Sequence, residues 1–148
     1  MMKKILRESL KNTESFEEVL SITVKIISEI KKKNLAVKIG YVSGKVTADG
    51  EEYIADNLAR LHKFTEQLEK VHGEYIFSAA DVFSDEIYWK INLPRPIHET
   101  DFYTFWRKVV SSGVTDIYMT PEWEKSTGAK DEHEIATKLQ LKIHYVEE

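Results

Sequence analysis

Hydrophobic and polar residues alternate along this chain with two different periods. Steps of three and four residues, typical of helices with one buried face, predict helices over residues 13–33, 50–71, 98–112 and about 127–140. Short apolar or alternating runs predict strands over residues 35–43, 74–79, 115–120 and 141–146. Residues 80–96 are predicted as a long aromatic loop that ends in Pro94-Arg95-Pro96, within which E-I-Y-W-K-I-N is a candidate extra strand.

Strands separated by helices imply right-handed crossovers and a mostly parallel sheet. The predicted fold is an α/β, flavodoxin-like three-layer sandwich. Its sheet has four to five strands in the order 2-1-3-4, with helices on both faces. Residues 1–34 are predicted as an amphipathic N-terminal helix packed on a single globular domain of residues 35–148. Ligands of such sheets bind at the carboxyl ends of the strands, where the strand order reverses.

A polar loop follows the first predicted strand. It reads G-K-V-T-A-D-G from Gly44 to Gly50 and precedes a predicted helix. Backbone N–H groups in such a turn point toward a ligand, so the segment is a candidate anion site, although many α/β proteins turn in this way. Lys45 is either a charge for a phosphate or a solvated loop residue.

A carboxylate interrupts the apolar face of the last predicted helix. Glu132 shares that face with Ala129, Ile135 and Ala136, at helical spacing. A carboxyl group there must be paired, protonated or functional. From spacing alone, a structural carboxylate hydrogen-bonded to backbone or arginine remains one interpretation, and a reactive group remains the other.

The segment from Trp123 to Ala136 has the pattern W-E-x-S-x-G-A-x-x-E-x-x-x-A. It resembles the signature of the nucleoside 2-deoxyribosyltransferase-like superfamily, most closely its uncharacterised bacterial and phage branch. The first strand, which ends in Tyr41-Val42-Ser43-Gly44, is similar to the strand that opens those proteins. Where the characterised transferases have an Asp-x-Gly-Thr run, this chain has Lys125-Ser126-Thr127-Gly128-Ala129.

The resemblance implies cleavage or transfer of a nucleoside or nucleotide N-glycosidic bond. Glu132 would be the nucleophile and Asp116 a supporting carboxylate, although Asp116 alone is equally explained as a strand-entry residue that caps a turn. Ser126 would hold a 5′-phosphate together with Lys45 and Thr47.

Further substrate contacts are implied at the first strand and its loop and at the start of the last helix. They are Tyr41, Ser43, Gly44, Gly128 and, as a lid or a platform for a base, Trp123. Tyr88 or Trp89 is a candidate for stacking on a base, or else a core or subunit contact. Two alternatives stay open. One is a nucleotide-binding module without turnover, and the other is a structural protein that uses the N-terminal helix as an oligomer contact.

Composition narrows the classes of partner. The 148 residues are 42% hydrophobic and 31% charged, as in an ordinary soluble domain with one core. The net charge of −4 argues against a general nucleic-acid binder. No apolar run approaches the ~20 residues of a membrane span, and the N-terminus lacks a signal-peptide core. We therefore expect a cytoplasmic protein whose partners are a small molecule and, by the resemblance, further copies of itself.

A metal or other cofactor is not predicted. The chain contains no cysteine, which leaves no thiolate ligands. The run H-E-I-A-T from His133 begins like a zinc-protease motif, but Thr137 occupies the position of the second histidine. The other histidines are scattered without ligand spacing.

Overall fold

The sheet of this protein is entirely parallel. The structure is a computed structural model that describes residues 1–92 and 97–148. Within these residues four short strands pair in the order β2-β1-β3-β4: β1 (Gly40–Ser43), β2 (Ile76–Ser78), β3 (Asp116–Met119) and β4 (Lys142–Tyr145). The predicted fold class and strand order are therefore confirmed. The predicted strand at 35–43 begins later because residues 34–37 form a turn, in which the Val37 N–H donates to the Asn34 carbonyl.

Helices cover the sheet. In chain order they are α1 (Met2–Leu10), α2 (Phe16–Lys33), α3 (Ile54–His72), α4 (Ala79–Val82), α5 (Asp85–Asn92), α6 (Glu99–Ser111) and α7 (Thr127–Lys138). Short 3₁₀ turns precede α3 at Glu51–Tyr53 and α7 at Trp123–Lys125. Among the described helices none is long and apolar enough to cross a membrane.

The N-terminal segment contains two helices rather than one. Met2, Leu6 and Leu10 recur at four-residue steps in α1 and are fully buried. The first helix ends where the Thr13 hydroxyl donates to the Leu10 carbonyl at 2.6 Å. The second begins after Ser15, whose hydroxyl accepts the Glu18 N–H at 3.2 Å. The predicted helix is thus confirmed as α2, and α1 was missed.

The predicted loop and extra strand between residues 80 and 92 are wrong. Ser78 and Asp81 form a reciprocal capping box that starts α4 directly after β2. In α5, Ile87 and Ile91 are one turn apart and both are buried, which is the pattern of a helix. The remainder of that loop, residues 93–96, lies outside the described residues.

The two faces of the sheet carry different residues. The Tyr41 ring lies 5.1 Å from the Trp106 ring of α6, so odd-numbered positions of β1 face α6 and α7. Gly40, one residue earlier, faces the other way and pairs with Asp116 of β3. On that opposite face the Tyr118 ring lies 5.3 Å from the His72 ring of α3. The register therefore assigns each strand residue to one helix layer.

Candidate active site

A cavity of about 290 Å³ opens at the carboxyl ends of β1 and β2. Its volume is at the lower limit of the roughly 300–1,000 Å³ typical of ligand pockets. The loop after β1 forms one wall, α4 and α6 form another, and the start of α7 forms the floor. Six aromatic side chains line it: Tyr41, Phe83, Tyr88, Phe102, Tyr103 and Trp106. A cavity therefore lies at the edge of the sheet where this strand order predicts ligand binding.

Glu132 lies at the floor of this cavity. Only 6% of the residue is exposed. The Ser43 hydroxyl donates to its Oε1 at 2.6 Å, and the Tyr41 hydroxyl is hydrogen-bonded to the same carboxyl group. Burial raises the pKa of Glu132 to about 7, although these two hydrogen bonds oppose the shift. A carboxyl group with this pKa exchanges a proton near neutrality, as catalytic carboxyl groups do.

The start of α7 holds Glu132 against the sheet. The Ser126 hydroxyl caps the helix by accepting the Ala129 N–H at 3.1 Å. Ala129 and Ala136 lie one turn on either side of Glu132, and both are buried. Their small side chains let the helix pack closely on the sheet, where it contacts β3 and β4. The carboxyl group consequently reaches the two hydroxyl groups of β1.

Most of the predicted site residues meet at this cavity. Those that line it are Tyr41, Gly44, Thr47, Ser126, Gly128 and Glu132. Ser43 belongs to the same cluster through its hydrogen bond to Glu132. Burial raises the pKa of Tyr41 well above its ordinary value, and the charge of Glu132 raises it further. The phenol therefore stays protonated and donates to the carboxyl group.

Asp116 does not join the other candidate residues. It is the first residue of β3, whereas the cavity lies at the carboxyl ends of the strands, roughly 10 Å further along at ~3.3 Å per residue. Its register with Gly40 also turns it toward α3, away from Tyr41. Asp116 accepts a hydrogen bond from Thr115 at 2.7 Å and lies 2.8 Å from Nε2 of His144. The expected convergence of Asp116 with Glu132 is wrong.

Replacement of Asp116 tests this separation. We expect Asp116→Asn to leave turnover of any substrate within about twofold of wild type. It should lower the free energy of unfolding by about 1 kcal/mol, because a hydrogen bond to a charged group is weakened. Steady-state kinetics and urea unfolding measure the two effects. A loss of turnover larger than tenfold without a change in stability would show that Asp116 contributes to catalysis.

Lys45 and Trp123 also point elsewhere. The Lys45 ammonium group lies 3.1 Å from Asp49 and 3.3 Å from Glu122, and it is absent from the cavity wall. The Trp123 ring stacks on the ring of His133 with 4.5 Å between centroids, also away from the cavity. Neither interpretation of Lys45 fits as stated, because the side chain does not line the cavity and, with 12% of it exposed, it is held by ion pairs rather than solvated.

Several cavity residues were not predicted as site residues. Phe102 and Trp106 appear in the sequence as the apolar stripe of a helix, and Phe83 lies in a segment that was predicted as a loop. Lys125 lines the cavity in place of Lys45 and donates to Glu122 at 2.6 Å. Periodicity identifies such residues as buried, but only the packing of α4 and α6 shows that they enclose a space. Among the described residues no cluster of three His, Asp or Glu side chains could hold a metal ion.

The sequence between residues 38 and 145 matches DUF4406, which is described as a domain of unknown function. The matched segment includes all four strands and every residue named above as lining the cavity. No curated protein and no solved structure matches the chain. Because the match covers well over half of the sequence, the chain belongs to the DUF4406 family.

Proposed function

We propose that this protein cleaves or transfers the N-glycosidic bond of a nucleoside or nucleotide, with Glu132 as the nucleophile. The observation that carries the proposal is a buried carboxyl group at the floor of an aromatic cavity, held by Ser43 and Tyr41, with its pKa raised to about 7. A carboxyl group that served structure alone would gain nothing from facing a cavity without a cationic partner. The resemblance of Trp123–Ala136 to deoxyribosyltransferase-like proteins supports the same assignment.

The reaction uses one oxygen of the carboxylate. As the C–N bond breaks, positive charge develops on the sugar, and the ionised Glu132 stabilises it and then bonds to the anomeric carbon. The base leaves with the bonding electron pair and takes up a proton from the solvent. Water or a second base then attacks the same carbon, loses a proton to the solvent and releases the carboxylate. The hydrogen bonds from Ser43 and Tyr41 fix the position of Glu132 throughout and stabilise its ionised form as it departs.

The cavity walls offer different groups to the two halves of such a substrate, which supports the proposal. The rings of Phe102 and Tyr88, stacked with 6.0 Å between centroids, offer an apolar surface for a base. Thr47, Ser126 and the first turn of α7 offer hydroxyl and N–H groups for the sugar or a 5′-phosphate. Lys125 lines the cavity and supplies a positive charge there, which it shares with Glu122, whereas Lys45 lies outside the cavity wall.

The pH dependence of kcat/KM tests the role of the carboxyl group. A nucleophile must be ionised, so we expect kcat/KM to fall about tenfold per pH unit below an apparent pKa of about 7 and to level off above it. A general acid in the same position would give the opposite slope. Initial rates of base release between pH 5 and pH 9 distinguish the two roles, and a profile that is flat from pH 5 to 9 would exclude both.

A base-release assay tests the function itself. The protein is incubated with ribonucleosides, deoxyribonucleosides and their 5′-monophosphates, with and without an acceptor base, and free base is measured by chromatography. Release by wild type that disappears in Glu132→Gln supports glycosidic chemistry, and the preferred substrate shows whether the cavity takes a phosphate. Saturable binding of these compounds without release would instead favour a nucleotide-binding module. No binding at all would overturn the assignment of the ligand class.

A further inference from the structure

β4 forms an edge of the sheet. It pairs with β3 on one side, and no other strand in the described parts of the chain pairs with it. Tyr145, near its end, is 61% exposed. Proteins usually protect such an edge by keeping the strand short or by placing charged residues, proline, a bulge or a covering segment there, because its free N–H and C=O groups can pair with another chain. β4 is four residues long and carries Lys142, so a strand that pairs with it has to offer that charge a partner. Residues 141–148 contain no proline.

The hydrogen bonds to β3 show which backbone groups of β4 are free. The N–H groups of Lys142 and Val146 donate at 3.1 and 2.9 Å to carbonyls just before and within β3. Backbone groups of successive strand residues point to alternate sides. Ile143, Tyr145 and Glu147 therefore direct their N–H and C=O groups away from β3, toward the outer edge.

We propose that a second copy of this chain pairs with β4 in the antiparallel direction, across a two-fold axis at Tyr145. An antiparallel hydrogen-bonded pair requires two residues whose backbone groups both point outward, and Tyr145 opposite the same residue of the second copy meets that requirement. A two-fold axis makes the interface self-complementary. The two four-stranded sheets would then form one continuous sheet.

Charge selects this register among the possible positions of the axis. With His144 or Val146 on the axis, outward-facing residues also pair with each other. In the first case, however, Lys142 lies opposite Val146. In the second case Glu148 lies opposite His144. With Tyr145 on the axis, Lys142 lies directly opposite Glu148 of the second copy, and the symmetry makes this pair twice. Opposite charges and aromatic rings placed directly across from one another stabilise antiparallel pairs. With Ile143 on the axis, Lys142 and Glu148 are separated. With Glu147 on the axis, two like charges face each other.

The side chain on the axis is held in place before pairing. The Tyr145 hydroxyl lies 2.8 Å from Nε2 of His133, whose ring stacks on Trp123. Fixing a side chain in advance reduces the entropy lost when the interface forms. The Glu148 carboxylate, whose side chain is 74% exposed, lies 3.5 Å from Nη2 of Arg60, and it would exchange this contact for Lys142 of the second copy.

Two sets of variants test the pairing, with mass measured by light scattering after size-exclusion chromatography at micromolar concentration. Tyr145→Pro removes an outward N–H group and leaves the bonds to β3 in place. Lys142→Glu places like charges opposite Glu148, and Lys142→Glu combined with Glu148→Lys restores opposite charges. Lys108→Glu on the exposed side of α6 makes the same change of charge far from the edge and serves as the control.

We expect wild type and the control to have twice the mass of the 17.2 kDa chain. Tyr145→Pro and Lys142→Glu should have half that mass while their circular dichroism stays that of the folded protein, and the double charge exchange should recover the dimer. A monomeric wild type overturns the proposal. A dimer that survives both Tyr145→Pro and Lys142→Glu also overturns it, because the contact would then lie elsewhere.

Discussion

Replacing Glu132 by Gln is expected to lower base release by at least about 10³-fold and, at the same time, to stabilise the fold above pH 7. The loss of activity follows because an amide cannot attack the anomeric carbon. The gain in stability follows because the amide keeps the size of the side chain and an oxygen that accepts from Ser43, but never becomes charged in a buried position. A purely structural carboxylate would not be expected to show both effects.

The sign and the pH range of the stabilisation come from the raised pKa. Folding shifts the pKa of Glu132 from its ordinary 4.5 to about 7, so the folded state binds the proton more tightly than the unfolded state does. The favourable contribution of the protonated group is complete below pH 4.5 and disappears as the pH rises through 7. At about 1.4 kcal/mol per pKa unit, ionisation of wild type at pH 8 costs ~3 kcal/mol, and Glu132→Gln avoids this cost.

The measurement is thermal unfolding of both proteins at pH 5 and pH 8. We expect similar melting temperatures at pH 5 and a variant that melts about 6–12 °C higher at pH 8. Glu134→Gln, two residues along the same helix and paired with Lys138 at the surface, is the control and should change neither value. Equal melting temperatures at pH 8 would show that the pKa of Glu132 is ordinary, which would remove the main support for its catalytic role.

The sequence predicted the architecture because its signals are local. Ser15 stands three residues before Glu18, the spacing of a capping box, and Ser126 stands directly before the predicted helix start at residue 127; both cap helices in the structure. The strand order follows from right-handed crossovers once four strands alternate with helices. The missed helix α1 had its signal as well, in Met2, Leu6 and Leu10. Three apolar residues among charged ones are a weak pattern until β2, α2 and α4 provide a surface for them to cover.

The site residues on α7 and β1 could be predicted from the sequence. Which residues of the other strands and helices meet them could not. Glu132 was identifiable because a carboxylate on an apolar helical face violates the pattern around it. The position of Asp116 was predicted wrongly for two reasons. Asp116 begins β3, whereas the ligand site lies at the other end of that strand. The face to which its side chain turns depends on the pairing of Asp116 with Gly40, which is distant in sequence. The aromatic wall likewise depends on α6 and the segment after α4 approaching each other, as in the contact of Phe83 with Trp106 at 5.8 Å.

The second large effect is expected at Gly44, where β1 enters the cavity loop. A Cβ atom there would overlap Oγ1 of Thr120 and lie 2.9 Å from Cδ2 of Leu61. Thr120 is fully buried, and both its hydroxyl and its N–H group donate to the carbonyl of Ser43, at 2.8 and 3.0 Å. Gly44 is therefore required because β1 and the end of β3 approach closely beside Ser43, the residue that binds Glu132.

We expect Gly44→Ala to destabilise the protein by about 3 kcal/mol in urea unfolding, since it overpacks a buried contact and displaces the Thr120 hydroxyl from its acceptor. Thr120→Ala removes the clashing oxygen, so the double variant should be more stable than the sum of the two single changes predicts, by about 1–2 kcal/mol. Gly128→Ala is the matched control. Its added Cβ would meet Tyr103 at an ordinary 3.6 Å within a helix, where alanine is favoured by about 0.5–1 kcal/mol.

The contrast between these two glycines decides the interpretation. If Gly44→Ala and Gly128→Ala unfold at the same urea concentration, the loop after β1 has room to move, and the contact with Thr120 does not fix Ser43. If Gly44→Ala is destabilised and Thr120→Ala rescues it, the close approach of the two strand ends is confirmed. In that case Ser43 of the double variant should hold the Glu132 carboxyl group less firmly, because its backbone carbonyl no longer accepts a hydrogen bond from the Thr120 hydroxyl. Base release should therefore fall even though the free energy of unfolding has recovered.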